Sequence, residues 1–503
     1  MPSDPLTLLD RAHQAVPAAS VAVVRLATGA VLAWRTGKLL ASGSWFGLWV
    51  SPPLLFPFPP LPLDLRLGAT PLFAALCLQL AASLALAAGL RPRLAALLTT
   101  LTQLLFFSLD RALYLNHDYL LILLTGLLAW LPTARRFALS GDDPDATVPA
   151  WSLWLLRLQI AAPYVFGGVA KLQPDWLHGV PFGQWLAQQA HLPLIGPWLA
   201  GPSAGVVLGF GGLLLDLFGP ALLLWGSRRV QLLAWLWFLA FHLINAHNFR
   251  IDVFPWLMIA TTPALLAPDW PDRLLAWLRH APAALRRVQL AVIALGVVLG
   301  LTVPSTTEAL FPIVLAPGLL LALWLAHSPT TAAAPSAQLP RTHAWRFAAL
   351  WATVQVLVPL RSLLLPIDPS WTEEGHRFSW HMKLRDKRVH QAAITVHPPE
   401  GEPLRVTVSD VLRPHQAHVV LTRPDLVVAL AHHLDRIARQ DGHGDVEVRV
   451  RAEVIYNGRA PTALVDPERD LSALPLLWWP PGDFIEPPAP PTWASPAEGA
   501  PPR

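Results

Sequence analysis

Long runs of residues with almost no charge constrain this chain more than anything else in it. Thr70 to Leu90, Ser203 to Trp225 and Trp345 to Leu365 are of this kind, and about 17 to 25 apolar residues are what a helix needs to cross roughly 30 Å of hydrocarbon. Similar stretches recur near residues 19–35, 93–109, 116–132, 151–170, 230–248, 251–267, 287–304 and 311–327. With 53% hydrophobic and 14% charged residues in 503, the chain is too apolar for one soluble core. The expected fold class is an α-helical polytopic membrane bundle of nine to eleven spans, carrying a C-terminal, mainly β soluble domain.

The first residues lack the basic region and small-residue cleavage site of a signal peptide, so the first apolar segment is expected to be an uncleaved span. Arginines cluster at Arg91 and Arg93, at Arg135 and Arg136, at Arg228 and Arg229, and at Arg273, Arg279, Arg286 and Arg287. Basic loops stay on the cytoplasmic side. This orientation puts the N-terminus inside, and the loops near His117, Lys171 and Asn248 outside with everything after Leu365. The 23 tryptophans suit residues that anchor at both water interfaces.

Past Pro366 the pattern changes. "QAAITVHPPEGEPLRVTVSDVL" and "DVEVRVRAEVIYNG" alternate apolar and polar residues, which predicts antiparallel strands. "RPDLVVALAHHLDRIARQ" between them has helical spacing. The expected division is a membrane domain over 1–366, an outward-facing soluble domain over 367–478, and a proline-dominated tail over 479–503, extended or disordered. A formal charge of +4 with no basic block interleaved with aromatics argues against nucleic acid. The single cysteine, Cys77, excludes an intrachain disulfide and a cysteine metal cluster.

Ionisable groups at membrane depth are expensive, so each is a functional candidate until an ordinary partner is found. Lys171 in "PYVFGGVAKLQPDWLHG" follows an apolar span and two glycines. Such a lysine can snorkel to the interface; buried instead, it becomes a neutral amine able to act as a base. Asp175 and Trp176 would support or anchor it. "LDRALYLNHDYL" gathers Asp110, Arg111, Tyr114, Asn116, His117 and Asp118 at the entrance of a span. In "FHLINAHNFRIDVFPW", His242, Asn245 and Asn248 share a helical face. His242 and His247 are five apart with no carboxylate pair at ligand spacing, so no metal site is expected.

These segments, in order with "SVAVVRLATGAVL", "GGLLLDLFGPALLLW" and "WTEEGHRFSWHMKLRDK", resemble the vitamin K-dependent gamma-glutamyl carboxylases and their bacterial homologues with an HTTM-type membrane domain. The likeness covers most of residues 18–390. It implies that Lys171 is the base that deprotonates reduced vitamin K, that His117 stabilises charged intermediates beside Asn116, and that His242 is a further catalytic position. Tyr114, Asn116 and Trp176 are the implied cofactor contacts, and Arg377 and Trp380 shape the substrate entrance. The implied reaction turns a reduced naphthoquinone, phylloquinol or menaquinol, into its epoxide with O2 and adds CO2 to a glutamyl side chain of a peptide or protein. The partners are then the lipid bilayer and that substrate, and the expected site is the outer face of a bacterial inner membrane.

The sequence also departs from the animal enzymes. Ala170 stands where they carry a second lysine, their disulfide is impossible, and the later part of the soluble domain is unlike theirs, so propeptide binding does not carry over. Two other readings fit the same residues: a quinol-dependent membrane enzyme acting on another substrate, and a non-enzymatic scaffold or transporter. Transport predicts a polar path through both leaflets and paired internal repeats, whereas here the polar residues gather on one side and no repeat is visible. The oligomeric state is not readable from the sequence.

Overall fold

The computed structural model of the protein describes residues 7–63, 65–133, 136–249, 251–280, 285–292, 310–327, 340, 343–365, 368–476 and 482–493. Among the described residues, six helices are long and apolar enough to cross a membrane: α2 (Ala69–Ala88), α3 (Pro92–Leu109), α5 (Ala150–Ala170), α6 (Pro202–Trp225), α7 (Arg228–Asn248), and α10 (Ala344–Leu360) with the 3-10 turn that extends it to Leu364. The nine to eleven spans expected are not confirmed by this count. The stretch near 116–132 is α4 (Asn116–Trp130), only 15 residues. Those near 251–267 and 311–327 give α8 (Phe254–Thr261), of 8 residues, and α9 (Leu310–His327), of 18. Most of 287–304 lies outside the described residues.

The first apolar stretch is a 24-residue helix, α1 (Ala19–Ser42), about 36 Å long, but it carries Arg25, Arg35 and Lys38. Arg25 is 1% exposed. Its guanidinium donates to the carbonyls of Leu86 (2.7 Å), Ala87 (3.1 Å), Arg136 (3.1 Å) and Phe137 (2.7 Å). A cation inside the bundle is thus spent on closing the C-terminal end of α2, whose last carbonyls have no partner within the helix.

Two short strands, β1 (Ala15–Pro17) and β2 (Thr147–Pro149), pair antiparallel and bring the starts of α1 and α5 together. α5 and α6 then pack at a glycine. A Cβ at Gly168 would lie 2.7 Å from Leu217 Cδ2 and 3.0 Å from its backbone N, so only glycine allows the two helices this close. That approach sets the register of everything α6 presents to the end of α5.

The C-terminal part is built on a four-stranded antiparallel sheet of order β4-β3-β5-β6: β3 is Lys387–His397, β4 Leu404–Val406, β5 Glu447–Tyr456 and β6 Thr462–Ala463. Along β5, Val448, Val450, Ala452, Val454 and Tyr456 are buried, the period-two face the alternating sequence demands. α11 (Pro424–Gln440), 17 residues, buries Leu426, Val427, Leu430 and Leu434 in the same core. The part is therefore a sheet with a covering helix, not mainly β. Leu54, Phe56 and Ala112 from loops between the long helices join that core, so the soluble part is docked on the bundle.

Residues 482–493 belong to the tail expected to be extended or disordered, and they lie along this docked part. Ile485 bridges Val465, Asp466 N donates to Phe484 O (2.8 Å), and Trp371 Nε1 donates to Glu486 O (2.7 Å). A proline-rich stretch cannot form a core of its own, but it can be held on an existing one.

Candidate functional site

α5 ends at Lys171, and its last two turns carry Tyr164, Gly167, Gly168 and Lys171 on one face, spaced by three and four residues. Lys171 is 5% exposed. Its ammonium does not snorkel outward: it bonds Asp216 of α6, lies 3.4 Å from Gly167 O, and sits 5.3 Å from the Trp176 ring centroid. Lys171 and Asp216 side chains are 6% and 3% exposed, a buried ion pair. Asp216 escaped the sequence reading although it is the one charged residue in the run from Ser203 to Trp225. An aspartate in the middle of a span is a signal in its own right.

The opposite wall comes from beyond the membrane helices. A Cβ at Gly167 would lie 3.4 Å from Met382 Cε, 3.5 Å from Asp216 Oδ2 and 3.7 Å from Trp380 O. Residues 378–384 therefore run across the end of α5. They are tied on both sides: Phe378 N donates to Tyr114 Oη (2.7 Å), Asn116 Nδ2 to His381 O (3.2 Å), and Gln173 Nε2 to Leu384 O (3.3 Å). Tyr114 Oη in turn donates to Asn116 Oδ1 (3.0 Å). Tyr114 and Asn116, expected as cofactor contacts, thus hold this segment in place. Trp176 is 4% exposed, donates its Nε1 to Gly209 O (3.1 Å), and offers its ring to Lys171.

The expected entrance residues separate. Trp380 is fully buried against Tyr119, ring centroids 5.1 Å apart. Arg377 pairs with Asp425 (2.8 Å), which also accepts from Arg111 (3.2 Å). Arg377 lines a cavity of about 370 Å³ together with Arg361, Glu374 and Asp425. Lys171 is not among its lining residues. Burial and the nearby Asp425 push the Glu374 carboxyl up to about 7, against a hydrogen bond from Gly482 N–H that lowers it. Next to it Glu373 goes the other way: burial alone would raise it, but Arg385, Lys387 and Arg423 hold it at about 2.

His117 and His242 are buried, at 4% and 1% exposure, and neither bonds Lys171. His117 Nε2 lies 3.7 Å from Asp252 Oδ2. Asp252 is held by Arg35 (2.7 Å) and Lys38 (3.3 Å), and Arg35 also pairs with Asp118. His242 Nε2 shares a hydrogen bond with Tyr164 Oη (2.7 Å), itself 2.8 Å from Thr262 Oγ1. Tyr164 is seven residues before Lys171, about 10 Å along the helix, so His242 belongs to a deeper layer. Arg35, Tyr164, Asp252 and Thr262 were not singled out by the sequence; no local pattern marks a residue whose partner is a hundred positions away.

Among the described residues, His117 Nε2, His242 Nδ1, Trp380 Nε1 and His381 Nδ1 are buried polar atoms without a hydrogen-bond partner. They stand among rings: Tyr119 lies 5.0 Å from Phe378, and Tyr164 4.8 Å from Phe238. Apolar walls with a few convergent polar groups are the usual composition of a cofactor site. Burial and the neighbouring Arg385 push His381 down to about 4, so its ring is neutral at physiological pH.

Residues 13–270, just over half of the chain, match the HTTM domain family, and residues 341–489 match the vitamin K-dependent gamma-carboxylase, lumenal domain. No solved structure matches the chain. The two matches lie in the order the resemblance requires. They meet in the structure where residues 378–384 cross the end of α5, which points to an enzyme of the gamma-glutamyl carboxylase type. The chain is a membrane protein that belongs to the vitamin K-dependent gamma-glutamyl carboxylase family.

Proposed function

We propose that the protein couples conversion of a reduced naphthoquinone, phylloquinol or menaquinol, to its epoxide with the addition of CO2 to a glutamyl side chain of a peptide or protein. The observation that carries this reading is the buried Lys171–Asp216 pair at the end of a membrane helix, beside the Trp176 ring, with the Met382 side chain and Trp380 O against Gly167 one turn before it. A reduced naphthoquinone supplies, with O2, the strong base that removal of a glutamyl γ proton demands.

The role of Lys171 is to take the first proton. Away from water a neutral amine beside a neutral carboxylic acid competes with the ion pair, because both charges lose their solvation. A proton passed from Lys171 to Asp216 along their hydrogen bond frees the amine lone pair to accept the ligand's. His117 and His242 offer unpartnered ring nitrogens to the ligand's polar edges, while Tyr164 fixes the ring of His242. Tyr114 and Asn116 position the 378–381 wall. Arg377 and Arg361 line the cavity through which an acidic side chain approaches, and Trp380 excludes water behind it. Exclusion of water matters because so strong a base would be quenched by it. The soluble part and this opening face the outside of the cell membrane, with the N-terminus in the cytoplasm.

The test is O2-dependent formation of epoxide by the purified protein in wild type and Lys171→Ala, with a short glutamyl peptide and labelled bicarbonate. Epoxide and labelled peptide, both lost on substitution, are expected. Epoxide without label would leave a quinol-dependent enzyme with another acceptor, and no epoxide with either quinol would overturn the reading.

A further inference from the structure

Asp175 lies four residues beyond Lys171 and directly before Trp176, on a single helical turn, Pro174–Leu177. Its side chain is 6% exposed and accepts from three residues of the soluble part. Asn457 Nδ2 donates to Oδ2 (2.7 Å), Arg459 Nη2 to both oxygens (2.9 and 2.7 Å), and Trp493 Nε1 to Oδ1 (2.8 Å). The Trp493 ring also stacks on His178, centroids 3.9 Å apart and planes 1° from parallel. Trp493 is reached by a chain segment that first walls the Arg377 cavity with Gly482, Asp483, Phe484 and Ile485. The segment is then fixed by Trp371 at Glu486 O (2.7 Å) and Arg459 at Ala489 O (3.2 Å).

We propose that residues 482–493 form a positioning strap, and that Trp493 is a positioning residue which sets the Lys171–Trp176 loop through Asp175. The indole does two separable things at one point. Its N–H fills an acceptor of a buried carboxylate, and a hydrogen bond to a charged group is among the stronger ones a protein makes. Its ring immobilises His178, the residue that closes the same turn. The turn carries the Trp176 ring that faces Lys171, so its orientation fixes the amine against Asp216 and the 380–382 wall. Because the strap also walls the Arg377 cavity, the substrate entrance and the lysine loop share one mechanical element. The catalytic half of this inference rests on the function proposed above; the structural half does not.

The experiment therefore reads both. Hydrogen exchange is followed in the full-length protein at the amides of Leu177, His178, Gly179 and Val180, which bond Gln173, Pro174, Trp176 and Asp175 carbonyls, in wild type, Trp493→Phe and Trp493→Ala. Trp493→Ala is expected to speed exchange at these amides about tenfold or more, with β5 amides unchanged. Trp493→Phe, which keeps the stack and loses the N–H, should fall between. In turnover, Trp493→Ala should lower kcat several-fold with KM for the glutamyl peptide within twofold, and Trp493→Phe should recover part of it. Unchanged exchange at 177–180 overturns the strap, as does an equal rise in β5, which would mean general loosening. A wild type without carboxylation would sink the proposed function while the exchange result still decides the strap.

Discussion

Breaking the Lys171–Asp216 pair from either side should cost far more than removing both partners. The two side chains are 6% and 3% exposed, so neither can turn to water when the other is lost. Removing one member of such a pair typically costs about 3 to 5 kcal/mol, because a buried charge is left uncompensated, whereas replacing both by apolar groups of similar volume is close to neutral. Lys171→Met and Asp216→Leu are each expected to destabilise by about 3 kcal/mol or more, and the double variant by less than either. The coupling energy should exceed about 2 kcal/mol, well above the roughly 0.5 kcal/mol scatter of independent sites. The assay is reversible unfolding in detergent micelles, run as a double-mutant cycle with the total protein and lipid content fixed. Additive single effects would refute the pairing. Asp216→Asn keeps the shape and adds the functional arm: if it retains more than about a tenth of the turnover of wild type, Asp216 is not the group that holds the proton for Lys171.

Gly168→Ala should destabilise by about 1 to 3 kcal/mol and lower activity, since its Cβ meets Leu217 side chain and backbone at 2.7 and 3.0 Å. Gly211→Ala, with nothing within 4 Å of the added carbon, is the control and should be neutral in the same thermal melt. Arg25→Met would remove the guanidinium donors from the carbonyls of Leu86, Ala87, Arg136 and Phe137, and should cost about 3 kcal/mol in unfolding free energy. Glu373 is held at about 2 against an ordinary 4.5. Its folded pKa is depressed, so the linked stability, about 3 kcal/mol, is complete above about pH 4.5 and lost as pH falls toward 2. Unfolding followed between pH 6 and pH 3 should show this slope in wild type and not in Glu373→Gln.

The sequence made the long helices legible because span length is set by the bilayer, a constraint that acts on every such segment alike. It left the number of spans open because an apolar run says nothing about where a helix stops: the stretch at 116–132 yields 15 helical residues, and that at 251–267 the eight-residue α8. Lys171 and His117 stood out as ionisable residues at span ends. Asp216 carried an equal signal and was passed over in a segment read for its apolar length and its likeness to a family. Arg377 and Trp380, three apart, looked like one surface, yet left-handed backbone at Phe378 and Trp380 turns them to different neighbours. How the tail is held was not legible for a different reason. Proline content excludes a self-made core, but the partners that hold 482–493 are Trp371, Arg459 and Asp175, and such docking leaves no periodic trace in the segment itself.

The segment from Glu373 to Lys383 explains why a membrane bundle and a soluble sheet occur in one chain. Glu373, Phe378, Trp380 and Lys383 all have positive φ, between 54° and 65°. Each such non-glycine residue costs of order 1 kcal/mol or more, so the conformation persists only where its surroundings over-determine it. Those surroundings come from both parts. The soluble part supplies Lys387 and Arg385 to Glu373 and Asp425 to Arg377; the membrane part supplies Tyr114 to Phe378 N and Asn116 to His381 O. Neither set alone fixes both ends of the segment. The backbone so fixed is the one that passes within van der Waals reach of Gly167, one turn before Lys171. A wall this strained cannot be carried by the helices alone. The soluble part is therefore needed to hold this backbone against the end of α5.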